Sequence, residues 1–136
     1  MIKIGNHIRF GKYVVIVENI NDDKYLLREP VSGIVNWVSK NILMKSIVPI
    51  TFKNQLFESN NQYINVYECL TNDIKVSIKP YENGSKISII EEGREYFKFM
   101  PYNTSRTKYE FNKYFNYINE LTPYKLEKYG FQKKEV

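Results

Sequence analysis

Apolar and polar residues alternate with a period of two along residues 63–100, the pattern of β-strands that bury one face. Turn-forming residues divide this stretch into four runs. In the last run we expect Phe97 and Phe99 to point into the core. The opposite face of that run carries Arg94, Tyr96 and Lys98. The pattern predicts a four-stranded antiparallel meander with one half-buried face.

The segment after these strands has the period of an amphipathic helix. Apolar residues recur over residues 105–121 at the i, i+3, i+4 and i+7 spacing, which predicts a helix that covers the sheet. A second, short helix is expected from Pro123 to just before Gly130, because Thr122 can cap it and proline suits its first position. Residues 132–136 are interpreted as a frayed, basic tail.

Residues 2–49 contain short β-branched and aromatic runs separated by turn residues, which indicates three or four strands. Such short, closely spaced strands are typical of a small barrel of the SH3-like kind. The sequence therefore predicts an α+β protein. It predicts an N-terminal SH3-like small β-barrel over residues 1–49 and a connector, which Pro49 introduces, over residues 50–62. Over residues 63–136 it predicts a four-stranded antiparallel meander that is covered by a C-terminal helix and followed by the short second helix.

The composition narrows the class of protein. A hydrophobic content of 43% and a mean hydropathy of −0.48 suit a soluble globular protein. No apolar run approaches the roughly 18 residues of a membrane span, and the start of the chain has no apolar core of a signal peptide. The single cysteine, Cys69, excludes an internal disulfide and a multi-cysteine metal site. We expect a cytoplasmic protein that does not bind membranes.

Groups suited to catalysis are few. His7 is the only histidine, and no serine or cysteine nucleophile lies at a recognisable motif spacing, so a surface or capping role is favoured over a general base. The acidic pairs Asp22-Asp23 and Glu91-Glu92 lie in predicted turns, where adjacent carboxylates point into water, and this disfavours metal catalysis. We expect no catalytic residue, no metal site and no cofactor, and the protein is not predicted to be an enzyme.

Three groups of aromatic and basic residues are candidate binding surfaces. The barrel candidate consists of Tyr13, Tyr25, Arg28, Trp37 and Lys40. The helix candidate consists of Arg106, Tyr109, Lys113 and Tyr117. The sheet candidate consists of Arg94, Tyr96 and Lys98, with Lys75 and Lys79. The barrel aromatics could stack bases or grip a peptide, although a simple core position for the tryptophan is favoured. Glu110 and Glu120 interrupt the helix candidate, which favours a protein over a nucleic acid there.

Several segments of the chain resemble a group of small uncharacterised proteins encoded by phages and prophages of Bacteroidota. These segments are KIGNHIRF, NWVSKNI followed by VPIT, DIKVSIKPYENGSKISI, GREYFKFMPY and LTPYKLEKYGF. In that group the last segment usually follows the barrel, whereas here ITFKNQLFES follows it. The resemblance implies a phage or mobile-element origin and a layout of barrel plus sheet. It implies no catalytic residues.

Three functions stay open at this point. The first is an accessory protein that binds a host or phage protein, such as an inhibitor of a host defence, because tyrosine is enriched in interfaces and the chain has 12. The second is a nucleic-acid-binding module that uses the basic, aromatic barrel surface, which a net charge of +5 would assist. The third is a structural or oligomerising component, because the aromatic content exceeds what one small core needs.

Overall fold

The computed structural model describes residues 2–59, 62–71 and 73–135. They form two antiparallel sheets with a few short helices, so the predicted α+β class is confirmed. The chain divides into two units. Unit 1 contains the residues up to Pro49 together with Tyr117–Lys125, and unit 2 contains Ile50–Asn116 together with the residues from Leu126 onward.

Unit 1 is built on a four-stranded sheet. Its strands are β1 (His7–Phe10), β2 (Tyr13–Asn21), β3 (Lys24–Arg28) and β4 (Val35–Ser39), paired in that order and followed by helix α1 (Lys40–Lys45). The core consists of Ile8, Val15, Val17, Tyr25, Leu27 and Leu43. Within the described residues this sheet is open, with β1 and β4 at its edges, rather than a closed barrel. The SH3-like assignment stays a prediction.

Unit 2 is built on a six-stranded sheet rather than the four strands that were predicted. Its strands are β5 (Lys53–Ser59), β6 (Gln62–Thr71), β7 (Ile74–Tyr81), β8 (Gly84–Glu91), β9 (Arg94–Met100) and β10 (Gln132–Glu135), in the order β10-β9-β8-β7-β6-β5. The strand β5 occupies most of the expected connector, and β10 occupies the expected tail, whose last residue, Val136, lies outside the described residues. Neither strand alternates clearly between apolar and polar residues, because each lies at an edge of the sheet.

One face of this sheet carries the core of unit 2. Its buried residues include Tyr67, Cys69, Val76, Ile78, Ile87 and Ile89. Helix α2 (Thr104–Asn112) packs over this face and buries Phe111 there. The predicted orientation of β9 was wrong, because the register pairs Tyr96 with Ile89 and therefore places Tyr96, not Phe97 or Phe99, on the core face.

The helix predicted over residues 105–121 is shorter than expected. It begins after Asn103, whose side-chain oxygen accepts a hydrogen bond from the backbone N–H of Arg106 at 2.8 Å. It ends at Asn112, because the chain further on is extended at Tyr117, where it forms an isolated bridge with Pro49. Pairing with another segment thus overrides the helical period of the side chains.

The short second helix, α3 (Pro123–Lys128), is confirmed. Its first turn is capped as expected, since the N–H of Lys125 donates to the hydroxyl of Thr122 at 3.4 Å. Gly130 follows the helix with a φ of +87°, a conformation that favours glycine. In the part of the chain that the structure describes, no helix is long and apolar enough to cross a membrane.

Candidate functional site

The sheet of unit 2 has a second face, opposite the one that α2 covers. We call it the open face. On strands β7, β8 and β9 it is formed by Lys75, Ser77, Lys79, Tyr81, Lys86, Ser88, Ile90, Glu95, Phe97 and Phe99. The strand β6 adds Glu68 and Leu70 to it. Several of its apolar side chains are exposed, including Leu70, Tyr81 and Phe99.

Three aromatic rings and one lysine lie in contact on this face, and we call them the aromatic–lysine cluster. The rings of Tyr81 and Phe99 are 4.7 Å apart between centroids, and those of Phe97 and Phe99 are 5.5 Å apart. The Nζ of Lys86 lies 5.2 Å from the centroid of Phe97 and 6.0 Å from that of Phe99. These are distances at which rings attract one another and a cation is attracted to a ring.

The hairpins of the sheet bring this cluster together. In the register, Lys86 lies directly opposite Phe99, and Tyr81 lies opposite Gly84 across the β7–β8 turn. A side chain at Gly84 would collide with the strand beside it, because its Cβ would lie 2.1 Å from the carbonyl oxygen of Met100. The glycine therefore allows β8 to begin close against the end of β9, on which Phe99 lies.

The charges of the open face are mixed and partly paired. The carboxylate of Glu68 lies 3.8 Å from the ammonium groups of both Lys75 and Lys79. The carboxylate of Glu95 lies 3.5 Å from Lys86 and also accepts a hydrogen bond from the hydroxyl of Ser88. A surface that pairs its own cations with carboxylates offers less to a chain of phosphates than an unpaired lysine cluster would.

The predicted barrel candidate is not assembled as one patch. Tyr25 is buried in the core of unit 1. Trp37 pairs with Leu26, the neighbour of Tyr25 on β3, so it lies on the opposite face of the sheet, where it is half exposed. The prediction that Trp37 lies in the core was therefore wrong. Tyr13 is exposed at the start of β2.

The two basic residues of the barrel candidate have other local partners. The guanidinium of Arg28 donates to the carboxylate of Glu18. Lys40 is exposed at the start of α1, where its backbone N–H donates to the carbonyl oxygen of Asp23 at 2.7 Å. These residues do not extend an aromatic patch.

The structure brings part of the helix candidate together. The guanidinium of Arg106 lies 4.1 Å from the ring centroid of Tyr102. The ammonium of Lys113 lies 4.8 Å from that of the exposed Tyr109. A hydrogen bond to the carboxylate of Glu110, at 3.2 Å, raises the pKa of Lys113. Lys113 is the C-cap of α2, and the fourth residue, Tyr117, lies further along the chain.

The residues of the sheet candidate do not form one exposed surface. Tyr96 is only 7% exposed, and the ammonium of Lys98 donates to the carbonyl oxygen of Tyr129 at 2.8 Å. Arg94 is exposed, but it begins the strand at its hairpin turn. The exposed part of β9 is the other face, with Phe97 and Phe99, which the sequence had indicated as core.

His7, the one candidate base, lies against an aromatic ring. It stacks on Tyr124 with 4.4 Å between centroids and an interplanar angle of 11°. Burial lowers the pKa of His7 below its usual value, and the positive charge of Arg28 lowers it further. This arrangement fits a packing role in unit 1.

One concave site among the described residues is small. A cavity of about 70 Å³ lies between α2 and the core face, lined among others by Lys98, Glu110, Tyr114 and Phe115. Pockets for small-molecule substrates are typically about 300–1,000 Å³. Among the described residues, no three histidine, cysteine, aspartate or glutamate side chains converge where a metal ion could be held.

Comparison with known proteins adds no relative to this picture. No protein-family model, curated protein or solved structure matches this chain. The function is therefore inferred from the open face and the other described surfaces.

Proposed function

We propose that this protein is a non-enzymatic binding protein whose open face docks onto the surface of another protein. The aromatic–lysine cluster is the observation that carries the proposal. The ring of Phe99 packs against both Tyr81 and Phe97 on an exposed part of the sheet, so these side chains form an apolar surface that has little entropy to lose on binding. Aromatic side chains are enriched in protein interfaces and often supply most of the binding energy.

The charge arrangement supports a protein partner over a nucleic acid. Lys75, Lys79 and Lys86 each lie near a carboxylate of the same face. Protein interfaces commonly surround an aromatic centre with such a mixed polar rim. The resemblance to phage-encoded proteins makes a host protein in the cytoplasm, such as a component of a host defence, the partner we propose.

A matched pair of variants tests this proposal. Phe99→Ala together with Tyr81→Ala removes two rings of the cluster, whereas Tyr109→Ala removes an exposed ring of α2. Tagged forms of each would be incubated with lysate of a Bacteroidota host, and the captured proteins identified by mass spectrometry. We expect the cluster variant to lose a partner that the wild type and the Tyr109→Ala variant both retain. Capture of the same proteins by all three would contradict the use of the open face.

A nucleic-acid-binding module is the second candidate. The observation that favours it is that the rings of Tyr81 and Phe99 are exposed on a β-sheet beside Lys86, and single-stranded nucleic acids stack their bases on such surfaces. Fluorescence anisotropy with labelled single-stranded oligonucleotides would measure this binding. Affinity that falls as salt rises, and that the cluster variant loses, would favour a nucleic acid over a protein.

A further inference from the structure

The two edges of the six-stranded sheet differ in their capacity to pair with another strand. At one edge, β10 is four residues long and carries Lys133 and Lys134. Short strands and lysines discourage pairing at an edge. At the other edge, β5 is seven residues long, and within the described residues it pairs with β6 only. The backbone of its outer side is therefore open to a further strand.

The strand β5 is exposed on both faces. Leu56 is 59% exposed and Phe57 is 51% exposed, and as neighbours in a strand they point to opposite faces. The pairing of β6 with β7 begins only at Tyr67, so the residues of β6 before it pair with β5 alone. Two strands without further support are marginally stable in water, so this ribbon gains stability from an added strand.

We propose that β5 pairs in antiparallel fashion with β5 of a second copy of this chain, which joins the two sheets across a two-fold axis at Leu56. In this register Leu56 lies opposite the partner's Leu56, and Gln55 lies opposite the partner's Phe57. Asn54 lies opposite the partner's Glu58. Leu56 and Phe57 each then gain a neighbour on their own face of the joined sheet.

The composition of β5 favours a second copy as the occupant. The strand carries one cation, Lys53, and one anion, Glu58, so it has no net charge to repel a copy of itself. A two-fold axis requires a strand that complements itself, and the register at Leu56 places no like charges opposite each other. A register one residue away, centred on Gln55, would instead place Leu56 opposite Asn54 of the partner subunit and lose the apolar contact.

The interface predicts a specific pattern of charge variants. We expect the full chain to be a dimer in sedimentation equilibrium. Leu56→Lys or Leu56→Glu should raise the Kd of the dimer roughly tenfold or more, because the two-fold axis then places like charges opposite each other. Mixing the two variants places opposite charges together and is expected to restore the dimer. The control is Leu70→Lys, which charges a leucine that is 75% exposed on β6 and is expected to leave the dimer intact.

A cross-linking experiment tests the register independently of charge. The native Cys69 is buried, so Leu56→Cys introduces a single accessible thiol. Residues that face each other across an antiparallel pair have Cα atoms about 4.5–5.5 Å apart, within the range that a disulfide spans. We expect mild oxidation to cross-link the Leu56→Cys variant and to leave Leu70→Cys uncross-linked. A wild type that is monomeric at all concentrations, or mixed charge variants that stay apart, would overturn the proposal.

Discussion

The side chain of Asn119 donates a hydrogen bond to the backbone carbonyl of Arg9, a residue 110 positions earlier in the chain. The same amide group donates to the carbonyl of Ser46 at 3.0 Å, and its oxygen accepts from the N–H of Val48 at 2.9 Å. One buried side chain thus satisfies three backbone groups of unit 1. The guanidinium of Arg9 reciprocates by donating to the carbonyl of Leu121 at 2.6 Å.

We expect Asn119→Ala to destabilise the protein by about 1–3 kcal/mol, because it leaves partly buried backbone donors and acceptors without this partner. The measurement is urea unfolding followed by circular dichroism. Asn36→Ala, at an exposed position of β4, is the matched control and should change the stability by about 0.5 kcal/mol or less. Equal effects of the two substitutions would show that the three hydrogen bonds do not contribute to stability.

The contribution of residues 117–125 to unit 1 could not be predicted from the sequence. The helical period extends through Ile118 and Leu121, and both residues are buried as that period predicts. What the period cannot show is that the backbone leaves the helix and pairs with a segment far away in the chain. The N–H of Ile118 donates to the carbonyl of Val48 at 2.8 Å, a contact that depends on tertiary structure.

The partial burial of His7 and its nearness to Arg28 lead to a prediction about pH. Because the folded protein holds the pKa of His7 below its unfolded value near 6.5, the unfolded chain binds more protons between the two values. The contribution of His7 to the free energy of unfolding is therefore fully present above pH 6.5. It is lost as the pH falls through 6.5 toward the pKa of the folded state. Titration of the His7 ring protons by NMR should give a pKa below 6.5.

Two variants separate the causes of this shift. Arg28→Gln removes the nearby positive charge and should raise the pKa of His7, while the part of the shift that comes from burial remains. His7→Gln should abolish the change in unfolding free energy between pH 5 and pH 7 that depends on the imidazole. A pKa of His7 at or above 6.5 in the wild type would contradict the prediction.

The close approach at Gly84 has a measurable cost when it is disturbed. We expect Gly84→Ala to destabilise the protein by more than about 1 kcal/mol, because the new Cβ would lie 2.1 Å from the carbonyl oxygen of Met100 and the strands must move apart. Gly33→Ala is a comparison in open space, where only the φ of +75° opposes a side chain, at a cost of roughly 1 kcal/mol. Thermal unfolding would rank them, and a smaller effect at Gly84 would contradict the argument.

The orientation of β9 was predictable in principle from its turn. Glu92 and Gly93 both have positive φ, and together they form a two-residue loop between Glu91 and Arg94. That loop pairs Tyr96 with Ile89, a core residue, and so assigns Tyr96 to the core face. The alternation of phenylalanines with charged residues along β9 predicted the phenylalanines inside instead, and so the open face was not among the predicted binding surfaces.

Substitutions on the two faces of β9 are therefore expected to differ in their effect on stability. Tyr96 is 7% exposed, so Tyr96→Ala should cost about 3 kcal/mol or more of unfolding free energy through the cavity that it leaves. Phe99 is 47% exposed, so Phe99→Ala should cost about 1 kcal/mol, chiefly from its contacts with Tyr81 and Phe97. Denaturant unfolding of both variants measures this difference. A larger loss at Phe99 would show that β9 turns its phenylalanines inward, and the open face would then lose its aromatic centre.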